Sequence, residues 1–315
     1  MLWIAGSVIA EHWWPCAAVA YLPQLQFGAP TAVLIAWAAL KRDMRASAIS
    51  ALAAVVFLFG PMDLRVRLPR DFPPEERLRV MTYNIRGGTW NLDRAIATIR
   101  AADPDVVCLQ EARTNSQAGT NELERKVREG LRGYVGHREE SIMTLARSQI
   151  VEFGHERLMV GRHSRPLVRA RIRHAGSAVT VCNVHFVLSE PVSSARRTGL
   201  RTFVERAVEV RRDQAEALIK ATRRDHRPMI VCGDFNTPPR GVVYGMLAGE
   251  WEDAAYVRSG FGYTFASTLP VLRIDYIWHS PDLLATRTET PASTGSDHRP
   301  VVADLIVIGD RLTRR

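Results

Sequence analysis

The chain opens on long apolar runs and then switches to short ones. No charged residue falls between Ala17 and Leu40, nor between Ala46 and Met62 (ASAISALAAVVFLFGPM), and a third apolar stretch begins at Met1 with MLWIAGSVIA. The segment VRLPRDFPPEER, residues 66–77, carries three prolines among mixed charges and reads as a linker. From Leu78 onward, apolar runs of strand length alternate with helical stretches. Strands are expected in LRVMTYNI (78–85), PDVVCLQEA (104–112), AVTVCNVHF (178–186), RPMIVCGDF (227–235), RIDYIWHS (273–280) and HRPVVADLIVI (298–308). Helices are expected in NLDRAIATIRAA (91–102) and LRTFVERAVEVRRDQAEALIKATRR (200–224). The pattern predicts a hydrophobic part over 1–65, the linker over 66–77, and a mixed α/β domain over 78–315 with a sheet core and helices outside.

A bilayer span needs roughly 20 apolar residues, and the N-terminal runs meet that only barely. Trp3, Trp13, Trp14 and Tyr21 suit an interfacial aromatic belt. A cleaved signal peptide would need a basic start, which Met1–Ala10 lacks. Buried helices of a soluble domain are a second reading, and two or three membrane helices fit best. The loop KRDMR, with Lys41, Arg42 and Arg45, would then face the cytoplasm and put everything after Asp63 outside. Arg65, Arg67 and Arg70 pull the other way.

Composition adds little. The 315 residues carry a net charge of +9, almost all of it arginine, since Lys41, Lys126 and Lys220 are the only lysines. A basic surface suits nucleic acid, anionic lipid or a phosphorylated substrate, and also a genome rich in arginine codons. The four cysteines, Cys16, Cys108, Cys182 and Cys232, show no CxxC pair or metal-finger spacing. Three of them sit inside apolar runs and read as buried strand residues.

Chemistry enters at the strand ends. The expected strands finish at or beside Asn84, Glu111, His185, and the pair Asp234 and Asn236; near the C-terminus, Asp275 and the pair Asp297 and His298 follow. Singly, each has a plain structural reading as a turn former, surface ion pair, Asx turn, core histidine or helix cap. Jointly, six separate segments place acids, amides and imidazoles where a rigid sheet aims loops at a common point. Asp234 and Asn236 are two apart, so on an extended segment they share a face. A carboxylate there holds or deprotonates water while the amide donates to phosphate oxygen.

The set TYN (82–84), LQE (109–111), NVH (183–185), GDFN (233–236), DYI (275–277) and SDH (296–298) resembles the motif series of the endonuclease/exonuclease/phosphatase superfamily, in the expected order across about residues 78–307. The resemblance implies a DNase I-like, four-layer α/β/β/α sandwich with the active site at one edge, here preceded by N-terminal transmembrane helices like the anchor of some bacterial members. It implies a divalent cation, Mg²⁺ with Mn²⁺ as a substitute, held by Glu111 with Asp297 and Asn84, hard oxygen ligands that suit it. Asp234 would position or deprotonate the attacking water and Asn236 bind the phosphate. His298, oriented by Asp275, would stabilise the transition state, and His185 would donate to phosphate or leaving-group oxygen.

Abasic-site endonucleases of the superfamily carry tyrosine at the place of His185 and aspartate at the place of Arg86, so both positions pull away from DNA repair. Arg211 or Arg212, with Gln214, is a candidate to reach the phosphate, a solvated helix face being the alternative. The expected function is phosphoester hydrolysis on a lipid-linked or membrane-proximal phosphate, at a bacterial cell membrane with the catalytic domain extracytoplasmic, the N-terminal helices meeting the bilayer and no protein partner expected. A nuclease is the alternative, kept open by the Arg- and His-rich stretch RLMVGRHSRPLVRARIRH (157–174). A non-catalytic scaffold would show gaps in the residue set, and every expected position is filled.

Overall fold

Period-two alternation in the strands decides the layering, because successive side chains point to opposite faces. The computed structural model describes residues 12–67, 72, 73, 76–160, 163–186 and 195–308. One six-stranded sheet contains β1 (Arg77–Asn84), β2 (Val106–Gln110), β3 (Val135–Glu139), β4 (Ile142–Ala146), β11 (Leu283–Glu289) and β12 (Val301–Val307), in the order β11-β12-β1-β2-β4-β3. The other contains β5 (Ile150–Val160), β6 (His163–His174), β7 (Ser177–His185), β8 (Met229–Asp234), β9 (Glu252–Asp253) and β10 (Asp275–His279), in the order β5-β6-β7-β8-β10-β9. At the centre of each sheet lies a parallel pair, β1 with β2 and β7 with β8. Parallel neighbours need a helical crossover. α4 (Leu92–Ala102) and α6 (Leu200–Thr222) supply them.

Val80, Cys108, Val181, Cys232 and Ile277 bury one strand face between the sheets. The opposite faces, through Met81, Tyr83, Val107 and Leu109, pack under Ile96 and Ile99 of α4 and under Leu123 and Val127 of α5 (Gln117–Gly130). On the far side, Val184, Val231, Phe235 and Trp278 pack under α6 and α7 (Gly241–Ala248). Four layers, helix–sheet–sheet–helix, result as expected. All four cysteines are free and buried.

The stretch 157–174, read from the sequence only as Arg- and His-rich, falls on the end of β5 and on β6. In β6 the buried Val168, Ala170 and Ile172 alternate with Arg169, Arg171 and Arg173, so one arginine-bearing strand masks an ordinary half-buried one. Arg169 is consumed internally, its Nε 2.6 Å from Asp225 and its Nη1 3.2 Å from Glu156.

The expectation of membrane-crossing helices is not supported by helix length. Among the described residues, α2 (Ala29–Lys41) has 13 residues and α3 (Met44–Phe59) has 16, and no single helix is long and apolar enough to cross a membrane. At ~1.5 Å per residue these measure roughly 20 and 24 Å against a hydrocarbon core of about 30 Å. The apolar run from Ala17 to Leu40 is broken after α1 (Trp14–Tyr21): together with the helical stretch Gln24–Lys41 it reaches spanning length, but the two halves meet at 99°. Pro23 starts the break, and the Gln24 amide donates to the carbonyls of Val19 (3.2 Å) and Leu22 (2.8 Å) at the helix end. The third apolar stretch, Met1–Ala10, lies outside the described residues, as does half of 66–77.

The N-terminal part packs against the helix–sheet–sheet–helix layers. α1 lies on α6, with Cys16, Ala17 and Ala20 buried, and the Tyr21 hydroxyl is 3.1 Å from Thr237 Oγ1. After α3, Arg65 and Gly260 exchange backbone hydrogen bonds of 3.1 and 2.9 Å, and Ser259 Oγ donates to Arg67 O at 2.7 Å.

Candidate active site

At one edge of the sandwich the apolar rows between the sheets turn polar. Along β1 the inward row runs Leu78, Val80, Thr82, Asn84; along β2 it runs Val106, Cys108, Gln110; along β7, Val179, Val181, Asn183, His185; along β8, Ile230, Cys232, Asp234. Pairing register sets the polar ends side by side: Asn84 opposite Gln110, His185 opposite Asp234, and Asp234 opposite Asp275. The strand-end residues marked in the sequence therefore do converge.

Beneath them lies a fully buried amide layer. Gln110 Nε2 donates to Asn183 Oδ1 at 2.7 Å and to Thr82 Oγ1 at 3.0 Å. Asn183 Nδ2 in turn donates to Thr144 Oγ1 at 3.1 Å and to Met143 O at 3.2 Å. This network ties the two sheets together across the interface just under the site. Gln110 and Asn183 stand inside the LQE and NVH motifs, and their signal was there: polar residues on an inward row that is otherwise apolar.

The cluster centres on one carboxylate oxygen. Asn84 Nδ2 lies 3.0 Å from Asp234 Oδ2 and 3.0 Å from Glu111 Oε1, so one amide bridges two acids. The same Asp234 oxygen is 3.6 Å from His185 Nε2 and 3.8 Å from His298 Nε2. Asp275 fixes the second imidazole, its Oδ2 2.9 Å from His298 Nδ1. Burial pushes His185 down to about 4, against the pull of Glu111, which leaves it neutral. Burial, reinforced by the charge of Asp275, raises Asp234 to about 7. For His298 burial acts downward, but Asp275 and Asp234 overturn it and hold the imidazolium at about 10.

Asn236 reaches the site by a different route from the one expected. It has φ of 49°, left-handed, and its backbone N–H donates to Asp234 Oδ1 at 2.9 Å, so an Asx turn replaces the extended geometry of the sequence reading. Its Nδ2 donates to Phe186 O at 2.7 Å, leaving one amide hydrogen for a ligand. Glu111, at φ 52°, likewise turns away from the strand alternation, which brings its carboxylate to Asn84 and within 4.0 Å of His185 Nε2.

The donor chemistry fits a hard cation at Glu111. Its side chain is 42% exposed, and among the described residues the only ion-pair partner is the distant His185. Asn84 Oδ1 accepts from Arg86 N at 3.0 Å and keeps a second lone pair. Asp297 is less free, because Arg86 Nη1 lies 2.5 Å from its Oδ2. Asp234, Asp275 and His298 also form a buried group whose ligand atoms all lie within 4.8 Å of one another, another place where a metal ion fits. There Asp275 is already engaged by His298.

Of the candidates on α6, Arg211 faces the site and Arg212 faces solvent, 3.9 Å from Glu216. Arg211 is 6% exposed, its Cζ 4.2 Å over the Tyr21 ring. Two hollows flank the cluster. On the Glu111 and His185 side a cleft of about 480 Å³ is lined by Arg113, Thr114, Asn115, Ser141 and Arg165. On the Asn236 and His298 side lies an apolar pocket of about 340 Å³. Phe265, which packs against the His298 ring at 5.0 Å, belongs to it. These wall residues come from loops, from β6, from α6 and from α1, where no strand-end pattern marks them.

Residues 81–298 match the model of the Endonuclease/Exonuclease/phosphatase family. A search of curated proteins found no match. Solved structures with the same fold include an endonuclease/exonuclease/phosphatase from Bacteroides vulgatus (21% identity, TM-score 0.58, covering 73% of this chain and 99% of that one). A mannosyl-6-phosphatase from Bacteroides thetaiotaomicron is similar (19%, 0.56, 73% and 99%), as is the human Nocturnin catalytic domain (20%, 0.54, 78% and 98%). With the layers, the polar edge and the family match in agreement, the chain belongs to the endonuclease/exonuclease/phosphatase family, whose members are metal-dependent phosphoester hydrolases.

Proposed function

We propose that the protein is a Mg²⁺-dependent hydrolase that directs water onto a phosphoester of a lipid-linked or membrane-proximal molecule. The observation that carries this is the single Asp234 oxygen shared by Asn84 and approached by both imidazoles. Glu111, with Asn84 Oδ1 and Asp297, would hold the metal, which when bound neutralises charge on the phosphate oxygens. Asp234 holds the attacking water and accepts its proton. His298, its Nδ1 fixed by Asp275, presents Nε2 to a phosphate oxygen, and the free amide hydrogen of Asn236 does the same. His185 donates to the leaving oxygen.

A bilayer location is supported by the α2–α3 hairpin, whose Leu40 and Met44 are 83% and 82% exposed and whose Ile49 and Leu52 are also open. The hairpin turn carries Lys41, Arg42 and Arg45. Charges are costly at mid-membrane, so the turn belongs at a far, cytoplasmic surface, with long side chains making up the missing length. The catalytic domain is then extracytoplasmic.

Arg113 and Arg165 in the polar cleft favour a second reading, a nuclease gripping backbone phosphates. The detergent-solubilised chain with Mg²⁺, offered a lipid phosphate and plasmid DNA in parallel, separates the two. Hydrolysis of the lipid phosphate that Glu111→Gln abolishes is the expected result. Hydrolysis surviving that substitution would remove the metal assignment.

A further inference from the structure

The two hollows beside the catalytic cluster differ in kind. The Glu111 side is polar and arginine-lined. The His298 side is walled by one face of α6, where Phe203, Ala207 and Arg211 recur at helical spacing, and by Phe265, Leu272 and Tyr21. Its volume of about 340 Å³ is within the roughly 300–1,000 Å³ usual for small-molecule sites. The pocket is not simply part of the family scaffold: Ala18 and Tyr21 of α1 complete it, and both precede the family match, which begins at residue 81.

A second observation points to an anionic ligand at the same place. Arg211 is buried against the Tyr21 ring, its Nη1 has only a 3.4 Å contact with Ala207 O, and its Nε has no acceptor among the described residues. A buried guanidinium with unspent donors is costly unless a ligand supplies oxygen.

We infer that the substrate is an amphiphile, an aliphatic lipid phosphoester whose chain seats between α1 and α6 while its polar substituent lies in the Arg113–Arg165 cleft. The phosphorus then stands at Asp234, between the two imidazoles, and Arg211 meets a phosphate oxygen at the mouth of the pocket. α1 is thereby a specificity element. This rests on the phosphoester-hydrolase reading above.

The test uses the full chain in detergent, with Mg²⁺ and two chromogenic diesters, dodecyl p-nitrophenyl phosphate and methyl p-nitrophenyl phosphate. Each methylene seated in the pocket should raise kcat/KM about three- to four-fold, so the dodecyl ester is preferred at least 100-fold. Val204→Trp or Ala207→Phe, which fill the pocket, should bring the dodecyl-to-methyl ratio close to one, whereas Arg212→Ala on the solvent face leaves it unchanged. A wild-type ratio near one, a ratio indifferent to both filling substitutions, or DNA cleaved in preference to the dodecyl ester would overturn the inference. Calorimetric binding of dodecyl phosphate gives a readout independent of turnover. If neither ester is hydrolysed but dodecyl phosphate binds and Val204→Trp abolishes that binding, the pocket stands and the hydrolase reading fails. If it does not bind, the pocket assignment fails.

Discussion

At the scale of single residues, the site is a set of shared hydrogen bonds, and each sharing makes a substitution informative. Asp275 touches His298 with both oxygens, at 2.9 and 3.2 Å on Nδ1, and thereby decides which way Nε2 points. Asp275→Asn preserves volume but offers only one carbonyl acceptor, so kcat should fall by about 10²–10⁴ while KM changes little. A comparable fall in KM-linked binding alone, with kcat intact, would deny His298 its place at the transition state. Arg86 spends its guanidinium on Asp297, a residue assigned to the cation. Arg86→Gln should free that carboxylate and lower the Mg²⁺ concentration needed for half-maximal activity several-fold. A higher requirement would mean that Arg86 supports the site instead of competing in it. The identities of the candidate residues were legible in the sequence because they lie on rigid strands, as Asn84, His185, Asp234 and Asp275 do, or a few residues beyond a strand end or before a strand start. Their orientations were less so: Asn236 and Glu111 leave the strand alternation through left-handed backbone, and neither residue type announces that conformation.

At the scale of elements, the strands show why some of the fold could be read and some not. β1, β7 and β8 bury both faces and stand out as apolar runs, whereas β6 hides its alternation behind arginines whose partners, such as Asp225, are distant in sequence. The same holds for the segment after α3. Asp63 lies 2.6 Å from Arg258 and 3.6 Å from Arg273, arginines only 3% and 4% exposed, and nothing local foretells a contact spanning 195 residues. Burial alone would raise the Asp63 pKa, but Arg273 and Arg258 more than reverse it, and the carboxyl is held below the usual range. Removing one partner of a buried ion pair strands the other. Asp63→Asn should therefore cost about 2–4 kcal/mol, read as a lower thermal midpoint in detergent at pH 7. A folded pKa depressed below the unfolded value of about 3.9 stabilises the protein above that value, and the contribution is lost as pH falls through the folded pKa. The gap between wild type and Asp63→Asn should close below about pH 4. A gap that persists there would mean the docking rests on packing and not on charge.

At the scale of the whole molecule, the N-terminal part behaves as two things at once. α1 is joined to the catalytic layers through the Tyr21–Thr237 hydrogen bond and the Tyr21–Arg211 stacking, while the α2–α3 hairpin buries little beyond Ala38 and Ser50. Val33, Leu34, Leu40, Ile49, Leu52 and Val56 are all exposed, and an apolar surface of that extent marks a contact with lipid or with another protein. If lipid is the cover, the charged turn fixes the geometry. Lys41, Arg42 and Arg45 cannot rest in hydrocarbon, so the turn reaches the opposite face from the catalytic edge. At about 24 Å, α3 would in that placement fall some 6 Å short of the hydrocarbon core, a mismatch that costs fractions of a kcal/mol per Å and that local thinning and snorkelling would meet. The four native cysteines are buried, so a cysteine introduced at the exposed Lys41 can be labelled selectively. In intact cells a membrane-impermeant maleimide should leave Lys41→Cys unmodified, and should label it in inverted vesicles, while Tyr256→Cys on the exposed catalytic surface shows the reverse. Labelling of both positions from the same side would place the hairpin flat on the surface, with the turn beside the catalytic domain and not across the bilayer from it.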